Sequence, residues 1–82
     1  MVGAIADQIE KAMNGFVDTR SSRDDQTYLM GYGYYKTAEA LFRTHRDDIR
    51  LYSETADELI EKSLRLLADF YPSPRLADTS MP

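Results

Sequence analysis

The chain has 82 residues, a formal net charge of −4, no cysteine, no tryptophan, one histidine and six tyrosines. That length holds one domain whose core leaves only about 3–5 kcal/mol of net stability without a staple, so self-association is expected. Without cysteine there is neither a disulfide framework nor a thiolate metal site, which fits a reducing, cytoplasmic setting, and the acidic balance speaks against generic affinity for nucleic acid or anionic membrane.

The first stretch, MVGAIADQIEK, has no basic leader, and Asp7 and Glu10 interrupt its apolar run, so neither a signal peptide nor a transmembrane segment is expected. Val2, Ile5, Ile9, Met13, Phe16 and Val17 recur at helical steps, and Asp7 with Lys11 makes an acid-first i,i+4 pair. A first helix is predicted over about 4–17. Asn14-Gly15 is a candidate stop, although the apolar stripe continues past it. The polar run DTRSSRDD then reads as a connection, with Ser22 and Asp25 resembling a capping box.

A second helix is predicted over about 23–45, its core face drawn through Tyr28, Gly31, Tyr35, Ala38 and Phe42, with Tyr34 and Leu41 flanking. Glu39 and Arg43 form another acid-first pair. Gly31 and Gly33 inside this helix cost roughly 1 kcal/mol each relative to alanine. Two accounts offset that cost: a close approach of the first helix or a mild bend, or a gap beside Tyr32, Tyr34 and Tyr35 for a partner or ligand.

The strongest pattern is Ile49 to Tyr71. One line runs through Ile49, Tyr52, Ala56, Leu59, Ser63, Leu66 and Phe70, and a second through Ile60, Leu64, Leu67 and Tyr71, so this helix needs neighbours on two sides. Its start is open between residue 48 and residue 55. The polar run RTHRDD at 43–48 is the first candidate hinge, whereas Thr55-x-x-Glu58 is a capping box placing the hinge at 52–55. Glu58–Lys62 and Glu61–Arg65 are outer-face pairs. With no glycine or proline between Gly33 and Pro72, helices two and three could instead form one rod, but a hairpin buries the stripe within the molecule and is preferred.

Pro72 and Pro74 end the last helix near 71, and 72–82 is expected to be a flexible tail or a short motif anchored by Leu76 and Met81. The predicted class is therefore all-α, a small three-helix bundle over 1–71.

No catalytic constellation stands out. A single histidine excludes a two-histidine metal site within one chain, and the Glu-x-x-His diiron pattern fails because Phe42 occupies the glutamate position. The serines lack a nucleophile elbow, and MGYGYY has neither dinucleotide-fingerprint nor P-loop spacing. Asp24-Asp25 and Asp47-Asp48 lie in polar runs, as solvated loop or cap residues do. The stretch LMGYGYYKTAEALF disagrees in its positions with the first helix of a tetratricopeptide repeat, and no second repeat follows, so no family is assigned.

Two features remain. Arg43, His45, Arg46 and Arg50 form a basic cluster, either a salt-bridged surface beside Asp47 and Asp48 or a small anion site. Tyr28, Tyr32, Tyr34 and Tyr35 display tyrosine on more than one side of one helix, as an interface does. The expectation is a non-enzymatic, self-associating protein-protein interaction protein, such as an adaptor, small chaperone or inhibitor, acting as a homodimer without metal or cofactor. An anion or nucleotide binder using the arginines and tyrosines is the alternative. A helix-turn-helix regulator presenting Arg46 and Arg50 to DNA is the weakest of the three.

Overall fold

The computed structural model describes residues 1–22 and 25–72, at 19–22 and 25 for the backbone alone. Three α-helices occur in order: α1 (Val2–Ser22), α2 (Asp25–Tyr52) and α3 (Glu54–Phe70), and the described residues contain no strand. The chain is an all-α three-helix bundle. The Ser22–Asp25 capping box, Asp24 and the segment 73–82 lie outside the described residues.

Helix α1 runs through Gly15 and does not stop there. The physical reason is the crossing with α2, where Gly15 and Gly31 meet. A Cβ on Gly15 would sit 2.7 Å from the Gly31 Cα, closer than real side chains come. Glycine here is a spacer between helices, and the remaining helical contacts hold the turn that follows.

The hinge falls at Ser53, not within 43–48. Helix α2 bends at His45 (φ −113°, ψ 17°) and continues to Tyr52. Continuation keeps Ile49 in register with the core, where it is fully buried. Ser53 then takes an extended backbone, and its hydroxyl accepts a 3.2 Å hydrogen bond from the Ala56 amide, capping α3. The cap is thus Ser53 and not Thr55, and the chain turns as a hairpin in place of a continuous rod. At the far end the Tyr71 amide donates to the Leu67 carbonyl at 2.7 Å before Pro72 ends the helix.

The core is Ile5 and Ala12 from α1, Tyr28, Tyr35, Ala38, Phe42 and Ile49 from α2, and Ile60, Leu64, Leu67 and Tyr71 from α3 and its end. Of the two apolar lines on α3, only the second is buried. Leu59 and Leu66 of the first line remain 60% and 51% exposed, and Val17, expected in the α1 stripe, is 55% exposed. Asp57 was assigned no role by its pattern, yet it is buried at the head of the second line.

Candidate functional site

The tyrosines do not form one exposed surface. Tyr71 leaves the end of α3 and directs its ring between α1 and α2, where its hydroxyl donates to the Ala12 carbonyl at 3.1 Å. That hydroxyl fills the notch left by the missing side chain of Gly31: a Cβ there would collide with the Tyr71 Oη and lie 2.9 Å from Cζ. The chain itself thus fills the Gly31 notch, while a cleft of about 270 Å³ lined by Gly15, Met30, Gly31 and Tyr34 stays open beside the crossing. Gly33, by contrast, faces open space, and its carbonyl accepts from the Thr37 hydroxyl at 2.9 Å.

Around Tyr71 the rings of Tyr28 (5.1 Å between centroids), Phe70 (4.7 Å), Tyr35 (6.1 Å) and Tyr32 (6.2 Å) gather. Such aromatic pairs add to the burial of their area. Tyr28 and Tyr35 are buried at 4% and 5% exposure, as their place on the predicted core face requires, and are therefore not available to the interface for which they were also candidates. Tyr32 and Tyr34 are half-buried, and Tyr34 carries the Lys11 ammonium 5.4 Å from its ring centroid. Burial, with a smaller contribution from Tyr28, pushes the Tyr71 phenol up to about 12. Tyr35 is raised as well, by burial first and then by Glu39, whose carboxylate accepts its hydroxyl at 3.2 Å. Glu39 itself is lowered, chiefly by the hydrogen bond from Lys36.

The arginines are held by acids, and not by the neighbouring Asp47 and Asp48. Arg46 donates through Nε to Asp57 Oδ1 at 3.1 Å and through Nη2 to Glu61 Oε2 at 2.9 Å, while Arg50 Nη2 lies 3.6 Å from Asp57 Oδ2. Asp57 in turn raises Arg46, with Glu61 contributing after it. A buried carboxylate without cations would be costly, so these contacts explain how Asp57 tolerates the core edge. The legible signal was an acid on the buried line of α3, one turn before Ile60. It demanded a cation from a neighbouring helix, and only the hairpin supplies one.

Arg43 stands apart, 3.8 Å from Glu39, and shares with Arg46, Arg65 and Phe42 a cleft of about 290 Å³ between α2 and α3. Arg50 does not line this cleft, and His45 sits half-buried at the bend of α2. The four cluster residues are therefore not brought to one site. Among the described residues no group of three or more His, Cys, Asp or Glu side chains is placed to hold a metal ion. Nor is any helix among them long and apolar enough to cross a membrane.

Apolar side chains are exposed at Met30, Leu51 and Tyr52 of α2 and along the outer flank of α1 and α3. Phe16 meets Phe70 at 4.1 Å, which closes the floor between the two helices, and Ile9, Met13 and Ala56 pack partly against the core. At 100° per residue Leu59 and Leu66 lie within about 40° of Phe70 on α3, and Val17 lies about 40° beyond Met13 on α1. Exposed apolar side chains thus edge a half-buried apolar floor on the side away from α2. No protein-family model, curated protein or solved structure matches the chain.

Proposed function

We propose that this chain acts by protein-protein contact, self-associating through the α1/α3 flank, as an adaptor, small chaperone or inhibitor in a cytoplasmic setting and without enzymatic chemistry of its own. The observation that carries the reading is the line of Leu59 and Leu66 left in solvent, with Val17, beside the half-buried Phe16 and Phe70. Single exposed apolar residues are ordinary, but a row of them continuous with a core is the mark of an interaction surface. The wide stripe of α3 asks for two neighbours, and within one chain the line of Ile60, Leu64 and Leu67 is buried while Leu59 and Leu66 of the other line are left exposed. Tyr32 and Tyr34 keep the partial exposure that an additional contact on α2 would use.

The small-anion reading is weaker. Arg46 and Arg50 are engaged with Asp57 and Glu61, which leaves Arg43 and Arg65 to recruit an anion, each already beside a glutamate. The same engagement argues against presenting Arg46 and Arg50 to DNA phosphates.

Light scattering across dilution tests the reading. The unmodified chain is expected to give a dimer mass that falls on dilution, and L59E/L66E a monomer with unchanged helix content. A monomeric unmodified chain at every concentration would overturn self-association.

A further inference from the structure

We infer that the partner on the α1/α3 flank is a second copy of this chain, docked with all four flank helices parallel and with Glu10 of each copy against Lys62 of the other. The inference rests on the self-association proposed above and adds its geometry.

The contacts within one chain set the register. Helices α1 and α3 run in the same direction, because Phe16 near the end of α1 meets Phe70 at the end of α3, while Met1–Gly3 lie beside Ile49 and Tyr52 at the other end. Counting back at 1.5 Å per residue, Glu10 lies about 9 Å above Phe16 and Lys62 about 12 Å above Phe70. The two charges therefore stand at nearly one level, on opposite edges of the apolar floor. Both are exposed, and among the described residues neither makes an ion pair. Lys62 does not take the i,i+4 partner Glu58 that its spacing offers, although Arg65 takes Glu61 at 3.5 Å.

Two symmetric ways of closing the floor exist. A two-fold axis along the helices lays α1 of one copy over α3 of the other, all parallel. Glu10 then meets Lys62 twice, and Met13 and Val17 come against Leu66 and Phe70. An axis across the helices lays α1 on α1 and α3 on α3, antiparallel. With the axis at the level of Lys62, the central residue of Glu54–Phe70, that arrangement brings Lys62 to Lys62 and leaves the two Glu10 residues only about 6 Å apart along the helices. Like charges placed opposite one another disfavour it, so charge complementarity selects the parallel dimer.

Charge reversal and engineered thiols separate the possibilities in the full chain, which has no native cysteine. E10K and K62E are each expected to weaken the dimer about tenfold at low salt, and less at high salt, whereas E10K/K62E restores it. Under mild oxidation E10C/K62C is expected to form covalent dimers, and E10C or K62C alone to stay uncrosslinked. Efficient crosslinking of either single variant would overturn the parallel arrangement while leaving self-association intact. So would an E10K/K62E variant as weak as the two single changes combined. A dimer that survives L59E/L66E would place the interface elsewhere, and a monomeric unmodified chain would remove both proposals.

Discussion

Replacing Gly31 by alanine tests the central packing claim, that the Tyr71 hydroxyl occupies the space a Cβ would need. The change improves helix propensity by about 1 kcal/mol. Against that, the new methyl group collides with Tyr71 Oη and Cζ and approaches the Gly15 Cα at 3.3 Å. Tyr71 must withdraw, losing its hydrogen bond to Ala12, worth about 1 kcal/mol, and forcing a repacking of the ring cluster that costs about 1–3 kcal/mol. The net is a loss of about 1–3 kcal/mol, or roughly 5–20 °C in thermal midpoint for a domain of this size. Gly33 is the internal control. Nothing lies within 4 Å of its Cβ position, so G33A is expected to stabilise by about 0.5–1 kcal/mol. Urea and thermal unfolding followed by circular dichroism at one fixed protein concentration measure both, since dimerisation would otherwise shift the midpoint. The double variant G31A/Y71F removes the nearest colliding atom, while Cζ stays at 2.9 Å, so it should recover part of the loss. A G31A variant as stable as the unmodified chain, or strictly additive effects in G31A/Y71F, would refute the packing account.

Three further outcomes are expected. S53A should lower stability by about 1 kcal/mol through loss of the α3 cap, while T55A at the exposed neighbouring turn should be near neutral; equal effects would reinstate the Thr55 cap. Because the Tyr71 phenol is raised from 10.0 to about 12 in the folded state, its contribution is complete below pH 10 and lost as pH climbs towards 12, a swing of about 2–3 kcal/mol. Denaturant titrations between pH 9 and 12 should show Y71F with the shallower alkaline decline, and identical slopes would contradict the burial of that hydroxyl. R46A strips the buried Asp57 of its principal partner and should lower the thermal midpoint more than R43A or R65A, whose guanidinium groups are mostly exposed; equal shifts would show that Asp57 does not depend on Arg46.

Local chemistry was sufficient for much of this molecule. Periodicity marks three apolar stripes, though it leaves the break between the second and third helices open; prolines end the third, and the pairs Asp7–Lys11, Glu39–Arg43 and Glu61–Arg65 form as their spacing predicts, whereas Glu58–Lys62 does not. These features depend on neighbours within one or two turns, which a linear reading contains. Residues whose role is set by another helix were not legible in the same way. Tyr28 and Tyr35 fall on the predicted core face and also group with the interface tyrosines, because tyrosine stands on more than one side of α2; the tertiary structure buries both, with the Tyr71 ring packed beside them. RTHRDD read as a hinge because it is polar, yet it stays helical across a bend because Ile49 must reach the core and Arg46 must reach Asp57 and Glu61.

The two apolar lines of α3 show the division most clearly. Sequence by itself determined that this helix is amphipathic over a wide arc and asks for two neighbours, because side-chain direction follows from helical geometry. Which line the chain buries was decided only by the tertiary structure. The line of Ile60, Leu64, Leu67 and Tyr71 is buried, its last ring reaching the Gly15–Gly31 contact of α1 and α2, while Phe16 reaches only the end of the other line, at Phe70, and leaves Leu59 and Leu66 in solvent.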